Sequence, residues 1–555
     1  MAQPRGHHPR RSGLGPPGRL TIITTVTAVV AALAVSPVQG RPALPKAASA
    51  LSTPDSLTPE VRDAVKFDAS RELTAIAADL DARAKGIGGA TARLSPVAPK
   101  APDTGVLPRN AANPQAKAGS AAVQADGVGT AAFPDFGANF EGVGNLDAVL
   151  PPDTNGDVGP NHYVQMINIH FAVFSKTGAL LLGPLPDNSL WDGFGGPCES
   201  HNDGDPVVLY DEAANRWMMS QFALNTPDGH HQCMAISQTP DPTGAWFRYD
   251  FLYHATRIND YPKYGIWPDA YYMTANEFAP GFVGVGAVAF EREKMLAGQA
   301  ARMVYFHLGP DFGGVLPADA EGLAPPAGAP NPFSMFDDDA FGTSPTDRLL
   351  MWDFHVDWTN PGASTFGGSS GEPNRFLETA PFDSNMCNFA RNCVPQQGTA
   401  QRLDAISDRL MYRAAYRNFG DHASIVLNHT VDVDGADHAG VRWYELRSAG
   451  TGWTIQQQGT YSPDSASRWM GSAAMDVNGN IAIGYSTSSS TSFPSIRMAG
   501  RLSTDPAGQL AQGERTLIAG TGSQTHSAAR WGDYSSMSVD PSDGCTFWFT
   551  TEYLT

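Results

Sequence analysis

Gly204-Asp205-Pro206-Val207-Val208-Leu209-Tyr210-Asp211 opens on an acidic residue, runs through a short apolar stretch and closes on an aspartate turn. Gly532-Asp533-Tyr534-Ser535-Ser536-Met537-Ser538-Val539-Asp540 repeats that pattern near the end of the chain. From Asp153 onward such copies recur about every 50–90 residues, each followed by an aromatic-rich strand, a period that suits the four-stranded blade of a β-propeller. Aligned on the turn after the apolar run, the copies fall at Pro160, Asp211, Asp269, Asp319, Asp408, Asp476 and Asp540. The reading is an all-β fold, a β-propeller over residues 131–555 with seven blades, or six if the weak copy at Asp319 is discounted.

Outer strands are also legible. Val441–Leu446 and Leu350–Val356 alternate as half-buried strands do. The chain stops soon after Phe547-Trp548-Phe549, so only two strands of the last blade fit there, and 132–143 is the stretch expected to supply a closing strand. The expectation is a last blade that is unusual, or a sequence that is incomplete at its C-terminus.

The 57 glycines and 43 prolines match a fold with many turns. A net charge of −19 supplies no basic stripe for nucleic acid and disfavours anionic membrane surfaces. Arg5, Arg10, Arg11 and Arg19 precede an apolar run from Leu20 to Val35 that is short for a membrane span, so residues 1–40 read as a signal peptide. The mature chain would then be secreted, extracellular, at the cell surface or in the periplasm, with no membrane span. Residues 41–130 are rich in Ala and Pro and read as a flexible linker or pro-segment with one helix over 58–85, started by Thr58-Pro59-Glu60. Oligomeric state is not readable.

Export permits disulfides. Cys387 and Cys393 share one irregular loop, and Cys198 and Cys233 flank one repeat, so both pairs are expected to bridge and Cys545 to be left over.

Pro151-Pro152-Asp153-Thr154-Asn155-Gly156-Asp157-Val158-Gly159-Pro160-Asn161-His162-Tyr163-Val164-Gln165, Ser407–Arg413 and Tyr416–His422 resemble a largely uncharacterised family of secreted bacterial propeller proteins. The resemblance spans about residues 131–555 and is more remotely similar to the sialidase-type propeller superfamily, which holds both glycoside hydrolases and binders. The Asp-box of sialidases is absent in strict form, and Asp543–Trp548 is a distorted echo of it, so sialidase activity is not implied.

Counting back from each turn gives the residues expected at one rim of the central channel: Asp153, Asp205, Lys263, Arg402, Arg468 with Trp469, and Asp533 with Tyr534. Paired carboxylates in a cleft are what glycosidic hydrolysis needs, one as acid and one as base or nucleophile. Trp469 and Tyr534 would stack on a sugar, while Lys263, Arg402 and Arg468 would hold its polar groups. The expectation is a carbohydrate-active propeller acting on an extracellular polysaccharide or glycan, with Asp153, Asp205 and Asp533 as the catalytic carboxylates. The alternative is a non-enzymatic propeller that binds glycans or proteins. A single Asp at a strand start is more often a turn cap.

Asp153, Asn155 and Asp157 place oxygen donors on alternating residues, as calcium loops do, although calcium needs six to eight oxygens. No cofactor beyond this structural calcium is expected. Asp421-His422 lacks the elbow context of a hydrolase triad, and Gly193-Phe194-Gly195-Gly196 lacks the lysine and helix of a phosphate loop.

Overall fold

The structure, a computed structural model, describes residues 57–86, 119–124, 137–340, 344–450 and 452–555, all within one compact unit spanning Asp55–Thr555. The signal peptide expected at 1–40 lies outside the described residues. Two short strands come first, β1 (Glu60–Asp63) and β2 (Lys66–Ala69), then helix α1 (Leu73–Gly86).

Next come three antiparallel sheets in sequence. The first is β3 (Asn155–Val158), β4 (His162–Ile167), β5 (His170–Ser175) and β6 (Leu180–Pro186). The second is β7 (Val207–Asp211), β8 (Arg216–Thr226), β9 (Gly229–Ser237) and β10 (Trp246–His254). The third is β11 (Ile258–Ile266), β12 (Tyr271–Phe278), β13 (Phe282–Phe290) and β14 (Arg302–Leu308).

A fourth group holds β15 (Leu316–Glu321), β16 (Asn331–Asp337) and β17 (Arg348–His355), with β18 (Thr365–Phe366) and β19 (Arg375–Glu378) both pairing β17. A fifth holds β20 (Met411–Asn418), β21 (Ala423–Asp432), β22 (Ala439–Ser448) and β23 (Trp453–Tyr461). Parallel pairing of β15 with β20, from Ala318–Ala414 to Glu321–Arg417, fuses these two groups into one sheet. Then follow β24 (Ser467–Met475), β25 (Ile481–Ser489), β26 (Ser492–Arg501) and β27 (Glu514–Ile518), and last the pair β28 (Ser536–Val539) and β29 (Phe547–Thr550).

The arrangement is propeller-like. The leading strands β3, β7, β11, β15, β20, β24 and β28 each lie against the next, and β28 lies against β3. Sheets therefore stack face on face around an axis, which is why β7, β9, β12 and β24 are buried along their whole length. Side chains cross between neighbouring sheets: Asn155 Oδ1 accepts from Val208 N at 2.8 Å, and Thr274 Oγ1 donates to Val315 O at 2.6 Å.

The repeated aspartates have a local cause. Asp211 Oδ1 accepts from Ala214 N, Asp476 Oδ1 from Asn478 N and Asn480 N, and Asp540 Oδ1 from Ser542 N. Each carboxylate closes the turn after an innermost strand. Two copies depart from the expected alignment. Asp319 lies inside β15 and points to the axis, and Asp408 precedes β20 and binds the guanidinium of Arg409 at 2.9 Å and 3.0 Å. The turn equivalent to the others after β20 runs through 419–422.

The helix expected over 58–85 begins only at Leu73. Residues 60–69 instead add β1 to the edge of β14 and β2 to the edge of β10, where pairing satisfies amides and carbonyls that would otherwise stand open. Val61 and Val65 are exposed, whereas Leu73 and Ile76 are buried in one apolar cluster with Trp191 and Trp246. Val123 bridges to Thr460 on β23 in the same edge-covering manner. Of the expected closing strand, 137–143 forms no strand; Phe140 packs on Tyr163, Phe174 and Trp548 instead.

Both expected disulfides are present, Cys198–Cys233 with Cα atoms 5.7 Å apart and Cys387–Cys393 at 5.6 Å, and Cys545 is unpaired.

Candidate functional site

The axis has two mouths: a leading one, where the innermost strands begin, and a trailing one, where they end. At the leading mouth each innermost strand contains, or is preceded by, a left-handed residue. Asp153 (φ 49°), Asp205 (φ 48°), Tyr261 (φ 57°), Gly314 (φ 61°), Ile406 (φ 42°), Met470 (φ 55°) and Asp533 (φ 76°) hold these positions. Glycine, Asp and Asn visit that region most readily, so the kink accounts in part for three aspartates.

Those three carboxylates are buried and gather round Tyr534. Burial first, then the charges of Asp153, Asp205 and Asp533, hold the Tyr534 phenol well above its ordinary pKa. Its hydroxyl donates to Pro206 O at 3.2 Å, and its ring meets Tyr261 edge-on at 5.8 Å. Lys263 Nζ lies 3.4 Å from the centre of the Tyr261 ring and 3.7 Å from that of Tyr534, a cation–π sandwich at a desolvated position. Asp205 Oδ2 accepts from Tyr261 N at 2.9 Å, Asp205 N donates to Asn168 Oδ1 at 2.9 Å, and Asp153 N donates to Gly532 O at 2.9 Å. Four sheets are thereby tied through one cluster.

Asp533 pairs with Arg530, whose Nε lies 3.8 Å from Asp404; Asp404 also bonds Arg391 at 2.9 Å. Burial pushes the Asp404 carboxyl up to about 6, with both arginines opposing it. Beside this chain a cavity of about 50 Å³, lined by Asp404, Ile406 and Arg409 among others, reaches the surface. It has room for a few waters.

The structure thus brings Asp153, Asp205, Asp533, Lys263 and Tyr534 together. It does not bring the other three there. Arg402 is exposed and donates to Cys393 O at 2.9 Å. Arg468 turns outward to Asp464 at 2.8 Å and Glu514 on β27 at 2.7 Å. Trp469 is fully buried beside Trp531, with ring centres 6.2 Å apart. Strand alternation explains the miss at Arg468, since one residue of register decides whether a side chain faces the axis or the outer strands. Tyr261, Arg409 and Arg530 belong to the cluster and were not singled out. Arg530, three residues ahead of Asp533, is the one with a readable signal.

Asn155 and Asp157 direct their oxygens at the second sheet: Asn155 Oδ1 accepts from Val208 N, Asp157 Oδ2 from Tyr210 N at 2.8 Å and Asp157 Oδ1 from Val158 N at 2.7 Å. As placed, these oxygens hold backbone amides.

Deeper in the axis, Arg413 pairs with Asp319 and lies 3.1 Å from Glu321 and 4.0 Å from Asp157. Burial holds Asp319 up at about 7 despite Arg413.

No family model matches this sequence, and no curated protein does. Among solved structures the chain is similar to a polysaccharide lyase, an ulvan lyase bound to a GlcA–Rha3S saccharide, at 14% identity and a TM-score of 0.29, covering 66% of this chain and 92% of that one. It is similar to the WD40 domain of SCAP from fission yeast at 8% identity and a TM-score of 0.28, covering 64% of this chain and 72% of that one. It is also similar to an endo-1,5-α-L-arabinanase from Thermotoga petrophila RKU-1 at 10% identity and a TM-score of 0.25, covering 64% of this chain and 74% of that one. Superpositions this poor carry no weight for fold or chemistry.

Proposed function

We propose that this is an extracellular, carbohydrate-active propeller that engages a glycan at the leading mouth of its axis. The observation that carries the reading is the convergence of Asp153, Asp205 and Asp533 from three sheets on Tyr534, beside Lys263. Turn capping explains such acids singly, and it does not explain why a lysine and two tyrosines should be stacked among them. The seven leading strands are read as seven blades, the last represented by β28 and β29. Extracellular placement rests on the basic-then-apolar N-terminus and agrees with two disulfides.

The finer step is hydrolysis of glycosidic bonds, with Asp205 and Asp533 as the working pair. The second reading, binding without cleavage, is favoured by the amide of Tyr261 on Asp205 and by the burial of all three acids. Calcium at Asp153, Asn155 and Asp157 is supported by donor spacing alone and has no part in either mode.

Reducing-end release from a polysaccharide panel separates the two. If the site hydrolyses, Asp205→Asn and Asp533→Asn each lower turnover by about 10²-fold or more while the melting curve is kept. Glycan retention without release, weakened by the same variants, selects binding. Neither cleavage nor retention on any polysaccharide of the panel, or full function in both variants, overturns the proposal.

A further inference from the structure

The trailing mouth holds an opening of its own. A cavity of about 500 Å³ lies between the turns that follow β7, β15, β20, β24 and β28, a size typical of small-molecule sites. Its polar floor is Arg417 and Glu212. Arg417 Nε donates to Met475 O at 2.6 Å and Nη2 to Glu321 at 3.4 Å, which fixes the guanidinium. Nη1 makes no hydrogen bond among the described residues. Gly322 packs against it at φ 73°, where a Cβ would collide with Nη1. Glu212 Oε2 accepts from Gly322 N at 3.0 Å, and its Oε1 has no hydrogen bond among the described residues. A fixed donor and a fixed acceptor therefore flank one glycine.

The rim is apolar. Leu323 is 59% exposed and Val477 51% exposed, the most open large apolar side chains in this part of the molecule. Phe419 stands beside them, its ring stacked on His422 at 4.8 Å. An anion would meet Glu212, Glu321 and Asp543 around Arg417, with Lys176 already held by Asp540 and Ser542, and a cation would meet Arg417. A neutral diol suits both floor groups, because one hydroxyl can accept from Nη1 while its neighbour donates to a carboxylate oxygen.

We propose that the trailing mouth is a second binding site, taking a neutral sugar unit whose vicinal hydroxyls bridge Arg417 Nη1 and Glu212 while its C–H face lies on Leu323, Val477 and Phe419. The site is separate from the leading-mouth cluster and shares no residue with it.

The test is saturation-transfer NMR on the full protein, with methyl glycosides of glucose, galactose, mannose, xylose and arabinose as probes and methyl glucuronide as the charged control. At least one neutral glycoside should bind. Val477→Arg and Leu323→Arg, both at exposed positions, should each weaken it by about tenfold or more, the equivalent of about 1.4 kcal/mol, with unchanged melting. Asp533→Asn should leave this binding intact, so failure at the leading mouth and failure here are told apart. Binding that survives both arginine variants, preference for the uronide, or no neutral glycoside bound overturns the assignment.

Discussion

Arg413→Met tests whether the axis is held by charge pairing. Arg413 is 2% exposed, pairs with Asp319, stands 3.1 Å from Glu321 and 4.0 Å from Asp157, and donates to Met537 O at 3.3 Å. Methionine fills most of the volume but strands three buried carboxyls. Removing one partner of a buried ion pair costs about 3–5 kcal/mol, and that is the loss expected at pH 8. The sign of the pH dependence follows from Asp319. Its folded pKa, about 7, already exceeds the unfolded value of about 4, and Arg413 is the chief charge opposing that rise. Without Arg413 the folded value climbs further, at about 1.4 kcal/mol per unit. The folded state then holds protons that the unfolded state has released, so the variant loses stability as pH rises from about 4 through the folded pKa. At pH 5 Asp319 is protonated and the deficit should shrink. Urea unfolding followed by tryptophan fluorescence at pH 5, 6.5 and 8 measures this directly, and Arg413→Met/Asp319→Asn should recover part of the loss. A deficit below about 1 kcal/mol at pH 8, given the 3–5 expected, or one that does not change with pH, would refute the reasoning.

Cys198→Ala/Cys233→Ala should lower stability by about 3–4 kcal/mol, the chain-entropy value for a loop closed across 35 residues, and non-reducing mass spectrometry of the parent protein should count two disulfides and one thiol. Gly265→Ala should cost about 1–3 kcal/mol or more, because a Cβ there would run into the carbonyl of Ala318 between β11 and β15; a neutral melting shift would mean that the leading strands have slack.

The repeat was readable because its aspartates do a local job. Asp211, Asp476 and Asp540 close their own turns with their own carboxylates, so a pattern of types at fixed positions survives in the sequence. Asp319 and Asp408 look identical in one dimension and differ in three, one feeding the axis and the other clasping Arg409. Nothing in the neighbouring residues separates those outcomes, since they depend on partners far along the chain. The same holds for residues 60–69, whose spacing suits a helix until the open edges of β10 and β14 offer more hydrogen bonds. Disulfide pairing was legible because each pair sits within or across one repeat. Arg468 and Trp469 were lost to register, which counting back from a turn does not fix when a bulge such as the one between Trp469 and Ser472 intervenes.

The left-handed kink at the leading mouth bears on what the acids are for. If the position asked only for a positive φ, glycine would serve everywhere, as it does at Gly314. Instead three sheets use Asp, and Tyr261, Ile406 and Met470 accept the strain that a larger side chain meets there. Strain of this kind persists where the surroundings over-determine it, and it collects at working sites. Tyr261 shows what the strain secures: its amide is delivered to Asp205, its ring to Lys263 and Tyr534, and its hydroxyl to Asp533 O at 3.3 Å. Tyr261, kept in an unfavourable conformation, ties two of the three acids and the lysine together. The backbone turn alone would have been met more cheaply by glycine.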